Sequence, residues 1–129
     1  MQSSPGRDDL VAMGRRFHAA TGHPSSFCAD AFCAMLDQIE AQGGLFTGPR
    51  SMIGGVISPM WCAPGWTAAV ELFWWAEDGH GLRLLRRFEA WAREQGAQEI
   101  RMTTLAALPE AERALRGYRR AETSWTRVI

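Results

Sequence analysis

The sequence contains no lysine, so all fourteen of its basic residues are arginines. Fourteen aspartate and glutamate residues balance them, which leaves a formal net charge of zero. A chain without net charge has no overall field that attracts nucleic acid or an anionic membrane surface. We therefore expect no nucleic-acid partner and no membrane partner.

Long apolar stretches are also missing. No run approaches the ~20 residues that a membrane-spanning helix needs, and the opening MQSSPGRDD has no signal-peptide core. The three cysteines, Cys28, Cys33 and Cys62, are odd in number and lack the spacing of a disulfide framework. Reduced thiols are the simpler interpretation, and they predict a cytoplasmic protein.

Metal-ligand spacing is absent as well. His18, His23, Cys28 and Cys33 follow one another at steps of five residues, and such steps do not stack on one helix face. No CxxC or HxxxH pair accompanies them. We expect no metal site and interpret these residues as core thiols and helix-end histidines.

The composition is that of one globular domain. The 129 residues are 47% hydrophobic and 22% charged, which excludes a disordered chain and predicts a single domain over residues 1–129. Residues 1–6 are predicted to form a flexible polar tail. Apolar periodicity predicts one helix from Asp8 or Asp9 to Ala20 and a second from Ser25 or Ser26 to Gln42.

Strand and helix patterns alternate in the rest of the chain. The predicted elements are strands over 45–47, 52–60 and 67–76, a helix over 82–95, a strand over 99–105, a short helix over 109–117 and a closing strand over 118–129. Two helices, a strand meander and a strand–helix–strand crossover predict an α+β fold.

The chain is organised around the stretch from Ala68 to Gly96. An apolar strand leads through Gly79-His80-Gly81 into an amphipathic helix. This order can hold a phosphate, because the first turn of a helix carries unpaired N–H groups and partial positive charge. An ordinary strand–helix junction is the alternative, since one glycine pair is a weak motif.

The sequence resembles the GNAT superfamily, the acetyl-CoA-dependent N-acyltransferases. The resemblance rests on ELFWW at 71–75, GHGLRLL at 79–85 and FEAWA at 88–92, with echoes at 112–113, 117–119 and 122–124. These strings look like short GNAT-like proteins of bacteriophages and prophages. The resemblance implies a mixed, mostly antiparallel central sheet with helices on both faces and a first strand that is missing or reduced.

Acetyl-CoA is the cosubstrate that this resemblance implies. Its pantetheine would pair with the strand backbone at Phe73, Trp74, Trp75 and Ala76, with Thr103 and Thr104 on the opposite side of the cleft. The residues implied in the pyrophosphate cradle are Gly79, His80, Gly81, Leu82 and Arg83. The connection before the glycines is shorter than the family's by about five residues, and Glu77 and Asp78 would repel a polyanion unless they point away.

Two residues are candidates for proton transfer. Glu71 is the candidate base, because we expect it to share a strand face with Phe73 and Trp75, and a carboxylate beside apolar rings has a raised pKa. A solvated or arginine-paired glutamate is the alternative. The candidate acid is Tyr118 or a water molecule, and a strand N–H near Trp74 or Trp75 is the candidate oxyanion donor.

Two functions follow from these expectations. The preferred hypothesis is an acetyl-CoA-dependent N-acetyltransferase that acts by direct transfer on an unidentified amine of a small molecule or protein. The alternative is a non-catalytic GNAT-derived binding or assembly module associated with a phage or prophage. A reduced first strand would also leave a sheet edge open, which predicts a homodimer.

Overall fold

The structure is a computed structural model that describes residues 4–129. Its elements in chain order are α1 (Arg7–Thr21), α2 (Ala29–Gln42), β1 (Leu45–Gly48), β2 (Ser51–Pro59), β3 (Thr67–Ala76), α3 (Gly81–Glu94), β4 (Glu99–Arg101) and a 3₁₀ helix (Pro109–Ala114). None of the described helices is long and apolar enough to cross a membrane.

The four strands form one sheet in the order β1-β2-β3-β4. The first three strands are antiparallel, with Met52 opposite Trp75, whereas β3 and β4 are parallel, with Ala68 opposite Glu99. Helix α3 makes the crossover between the two parallel strands. The predicted mixed, mostly antiparallel sheet is confirmed, and residues 4–44 contain no strand, as the missing first strand implied.

Helices cover both faces of the sheet, as predicted. Helices α1 and α2 pack on one face, where Leu36 and Ile39 lie with Met52 in one buried cluster. Helix α3 packs on the other face, where Phe88 lies with Ile53 in a second cluster. Because successive strand residues point to opposite faces, the neighbours Met52 and Ile53 belong to different cores.

The helix starts differ from the predictions. Helix α1 begins at Arg7, and the Asp9 carboxylate accepts the N–H of Gly6, its N-cap, at 3.0 Å. Helix α2 begins only at Ala29, because Cys28 has extended backbone and accepts the Ala31 N–H on its sulfur at 3.5 Å. Cys28 is therefore an exposed helix cap, and its interpretation as a core thiol is wrong. Residues 1–3 of the predicted tail lie outside the described residues.

The carboxyl-terminal third differs most. Strand β4 ends at Arg101 instead of residue 105, the segment after Pro109 is a 3₁₀ helix, and residues 118–129 form no strand. Residues 121–129 are exposed throughout. Their Thr and Val content favours a strand only where a sheet edge and a buried face receive it, so composition alone gave the wrong prediction.

Candidate functional site

A gap opens between β3 and β4. The two strands pair only over Ala68–Val70 and Glu99–Arg101, so residues 71–76 of β3 have no strand neighbour on that side within the described chain. A cavity of about 180 Å³ lies in this gap. Its lining residues are Phe17, Glu71, Leu72, Trp74, Thr103, Thr104, Leu105, Leu108 and Ala111.

A β-bulge lies beside this gap. Gly54 is opposite Phe73 and Gly55 is opposite Glu71, which leaves Leu72 as an extra residue in β3. A side chain on Gly55 would collide with the ring of Phe88 on α3, so this position faces the α3 core. Bulges of this kind re-aim side chains and are common next to active sites.

The bulge corrects one expectation about Glu71. Phe73 and Trp75 pack in the α1–α2 core, whereas Glu71 lies opposite Gly55, on the α3 side of the sheet. The predicted common face of Glu71 with Phe73 and Trp75 is therefore wrong, because the extra Leu72 breaks the alternation between them.

Glu71 lies at the point where the strands separate. It is 6% exposed, and its Oε1 accepts the backbone N–H of Thr103 at 2.8 Å. Burial raises the pKa of Glu71 to about 7, although the Thr103 hydrogen bond favours the charged form. A carboxylate with this pKa can accept a proton near neutral pH. The same hydrogen bond connects β3 with the segment after β4 across the gap, so Glu71 also has a structural role.

The aromatic residues of β3 fix the strand on both sides. The ring of Phe73 lies 5.7 Å from that of Phe32, and the ring of Trp75 lies 6.0 Å from that of Phe17. Trp74 faces α3, where its indole N–H donates to the carbonyl of Gly81 at 3.0 Å. The side chains of Phe73 and Trp75 are thus used in packing, which leaves their backbone for contact with a ligand.

The turn between β3 and α3 consists of residues 77–80. Gly79 has a φ of 77°, a conformation that glycine adopts without strain. The Asp78 carboxylate accepts the N–H groups of His80 and Arg50 at 2.9 Å each and the Ser51 hydroxyl at 3.1 Å. Burial opposes ionisation of Asp78, but these bonds outweigh it and hold its pKa below the ordinary value.

The other acidic residue of the turn points toward α1. The Glu77 carboxylate accepts hydrogen bonds from Arg16 at 2.5 and 2.9 Å and from the Trp75 indole at 2.8 Å. Arg50 adds a contact at 3.3 Å. The Arg16 bond above all lowers the pKa of Glu77 to about 2. The negative charge of Glu77 is therefore balanced by arginine. Asp78 is then the carboxylate next to the residues implied in the pyrophosphate cradle.

Three backbone amides remain at the start of α3. The N–H groups of Gly81, Leu82 and Arg83 make no hydrogen bond within residues 4–129, and the side chains of Leu82 and Arg83 are exposed. Unpaired amides at a helix start bind anions. The free strand edge and these amides fit an acyl-CoA. The His80 amide, which the sequence assigned to the pyrophosphate cradle, already donates its hydrogen bond to Asp78.

Tyr118 does not line the cavity. Its hydroxyl donates to Glu89 of α3 at 2.7 Å, and Arg86 pairs with the same carboxylate at 2.8 Å. Burial, followed by the hydrogen bond to Glu89, raises the pKa of Tyr118 well above its ordinary value. Tyr118, the candidate acid, is therefore hydrogen-bonded to Glu89 outside the cavity that Glu71 lines.

Five lining residues were not singled out as site residues from the sequence: Phe17, Leu72, Leu105, Leu108 and Ala111. Phe17 belongs to the apolar stripe that predicted α1, but the stripe does not tell which strand the helix covers. Leu105, Leu108 and Ala111 follow β4: Leu105 was predicted to end the strand over 99–105, Ala111 to lie in the short helix over 109–117, and Leu108 to lie between them. Groups of three or more potential metal ligands are absent from residues 4–129.

No protein-family model and no curated protein sequence matches the chain. Solved structures do. A crystal structure of a probable acetyltransferase is similar with a TM-score of 0.68 at 15% identity, over 95% of this chain and 91% of that one. A protein of Agrobacterium tumefaciens assigned as an acetyltransferase gives 0.63 at 16% identity, over 98% of both chains.

Glucosamine-6-phosphate N-acetyltransferase from Arabidopsis thaliana is similar with a TM-score of 0.57 at 9% identity, over 98% of this chain and 96% of that one. At such identities the likeness concerns the fold alone. The chain therefore shares with these proteins the α+β fold that the sequence predicted, a mixed four-stranded sheet with helices on both faces.

Proposed function

We propose that the chain is an acetyl-CoA-dependent N-acetyltransferase that moves an acetyl group directly to an amine. The observation that carries this proposal is the gap between β3 and β4, which has a free strand edge on one side and a buried carboxylate, Glu71, at its base. A site of this shape brings a thioester and an amine together beside a group that accepts a proton.

The chain's own residues would hold acetyl-CoA at three places. The backbone of Phe73 to Ala76 offers hydrogen bonds to the amide groups of pantetheine. The amides of Gly81, Leu82 and Arg83 face the pyrophosphate, and the Arg83 side chain adds positive charge. The bound cosubstrate supplies an activated acetyl thioester.

Proton movement falls to Glu71. Its carboxylate takes one proton from the incoming ammonium, so that the free amine nitrogen attacks the thioester carbon. The C–N bond forms, the C–S bond breaks, and the second proton that the nitrogen loses passes through water to the thiolate. A backbone N–H at Trp74 or Trp75 stabilises the carbonyl oxygen as charge builds on it. Water is the proton source for the thiolate, since Tyr118 bonds to Glu89.

The alternative is a GNAT-derived binding or assembly module without catalysis. The observation in its favour is the Asp78 carboxylate, which holds the His80 amide where a pyrophosphate would bind. A negative charge there lowers the affinity for a polyanion. The phage or prophage setting of such a module stays a prediction from the sequence.

A thermal-shift titration with acetyl-CoA tests the proposal. A ligand at a hundred times its Kd stabilises the fold by about 2.7 kcal/mol, and the variant Asp78→Asn should bind more tightly, because it keeps an acceptor for the His80 amide and removes the charge. Desulfo-CoA serves as the ligand control without a thioester. No shift at millimolar acetyl-CoA in either protein contradicts the enzyme and favours the module.

A further inference from the structure

We infer that the acceptor is a primary monoamine with a small apolar body. This inference rests on the proposed function and concerns the same cavity, whose lining side chains indicate which acceptor fits. It goes beyond the fold, since a shared fold leaves the acceptor open.

The walls of the cavity are apolar on nearly every side. Six of its nine lining residues have hydrocarbon or aromatic side chains: Phe17, Leu72, Trp74, Leu105, Leu108 and Ala111. The remaining three are Glu71 and the two threonines, Thr103 and Thr104. An acceptor that enters this space exchanges water for apolar contact over most of its surface.

One charge lies at the end of this apolar space. Of the described residues that line the cavity, only Glu71 is titratable. The Thr103 hydrogen bond uses its Oε1 and leaves its second oxygen available. An ammonium group suits this position, because an opposite charge offsets the cost of burying the carboxylate. A single carboxylate matches a single ammonium.

The same lining disfavours other amines. Among residues 4–129, no arginine or histidine lines the cavity, so a phosphorylated amino sugar would bury its phosphate without a cation. Arg16, next to Phe17, is held by Glu77. A polyamine would bring a second ammonium without a second carboxylate.

The test uses the full chain and four amines: isopentylamine, 2-phenylethylamine, spermidine and glucosamine 6-phosphate. Binding of each amine alone is measured by ligand-observed NMR, and turnover is measured as thiol release from acetyl-CoA. We expect the two monoamines to bind and to give a kcat/KM at least tenfold above that of the other two. Faster turnover of spermidine or glucosamine 6-phosphate overturns the inference and leaves the proposed function standing.

The binding arm separates the two ideas. Monoamines that bind without thiol release support the acceptor class and contradict the proposed function. Failure of both monoamines to bind overturns the inference, whatever acetyl-CoA does.

A matched pair of variants locates the binding. Ala111→Phe fills the cavity and should weaken monoamine binding at least tenfold, whereas Ala107→Phe, at an exposed position outside the lining, should leave it unchanged. Equal affinities in the two folded variants overturn the assignment to this cavity. The comparison of amines on the unmodified chain stands independently if Ala111→Phe does not fold.

Discussion

The charge on Glu71 should make the protein less stable as pH rises, and Glu71→Gln should remove that loss. Burial raises the pKa of Glu71 from 4.5 to about 7 in the folded chain. Between those two values the folded state binds a proton that the unfolded state has released. The free energy of unfolding therefore falls as pH rises from 4.5 to 7 and levels off above 7.

The size of the effect follows from the shift. One pKa unit corresponds to about 1.4 kcal/mol, so a shift from 4.5 to about 7 amounts to about 3 kcal/mol. Most of this loss falls between pH 5 and pH 8. The glutamine of Glu71→Gln is neutral at every pH and still offers an oxygen to the Thr103 N–H, so it keeps the bridge across the gap without the buried charge.

The measurement is urea unfolding of both proteins at pH 5 and pH 8. We expect similar stabilities at pH 5 and a variant that is more stable by 2–3 kcal/mol at pH 8, or roughly 3–5 °C in Tm per kcal/mol. Glu110→Gln, at an exposed position, is the control and should show no such change. A Glu71→Gln variant that is less stable than the parent by the same amount at both pH values refutes the reasoning, since Glu71 would then be a structural residue whose charge is tolerated.

Three further changes test the frame around the site. Arg16→Gln should lower the Tm above pH 4.5, and the difference in Tm from the parent should vanish as pH falls toward 2. The lowered pKa of Glu77 means that its ion pair with Arg16 stabilises the fold only while Glu77 is charged; a difference in Tm that is the same at every pH would contradict the ion pair. Gly55→Ala should lower the free energy of unfolding by about 1–3 kcal/mol in chemical denaturation, because the added methyl group overpacks the bulge. Gly65→Ala, where only a positive φ is strained, should lower it by about 1 kcal/mol; equal losses would argue against the bulge. Deletion of residues 119–129 removes the exposed ion pairs of Glu122 with Arg101 and of Arg120 with Glu112. Because such pairs contribute little, the Tm should shift by less than about 3 °C; a large loss of Tm would mean that this segment packs on the sheet.

Local patterns were enough to predict the centre of the fold. Strand β3 is observed where its apolar run predicted it, at Thr67–Ala76, and α3 begins within one residue of its prediction at Gly81. Trp74 and Trp75 pack on opposite faces of the sheet, as the alternation of a regular strand requires. Each of these predictions depends on residues close together in the sequence, where periodicity is informative.

Features that depend on distant contacts could not be predicted. The sequence left open whether the turn carboxylates point toward an incoming anion, and it did not indicate that Glu77 pairs with Arg16, which lies 61 positions earlier. The strand predicted over 99–105 ends at Arg101, because the Thr103 amide bonds to the Glu71 side chain and not to a strand backbone. Neither pairing leaves a trace in the local pattern.

The bulge connects the fold to the chemistry. In a regular strand Glu71 and Phe73, two residues apart, would share one face of the sheet, but the extra residue Leu72 puts them on opposite faces. The bulge keeps Phe73 in the α1–α2 core, while Glu71 lies at the base of the gap, where its Oε1 accepts the Thr103 N–H. Gly55 is what admits this arrangement, because any side chain there would meet α3. The position of the candidate base therefore depends on a glycine in the neighbouring strand that touches no ligand.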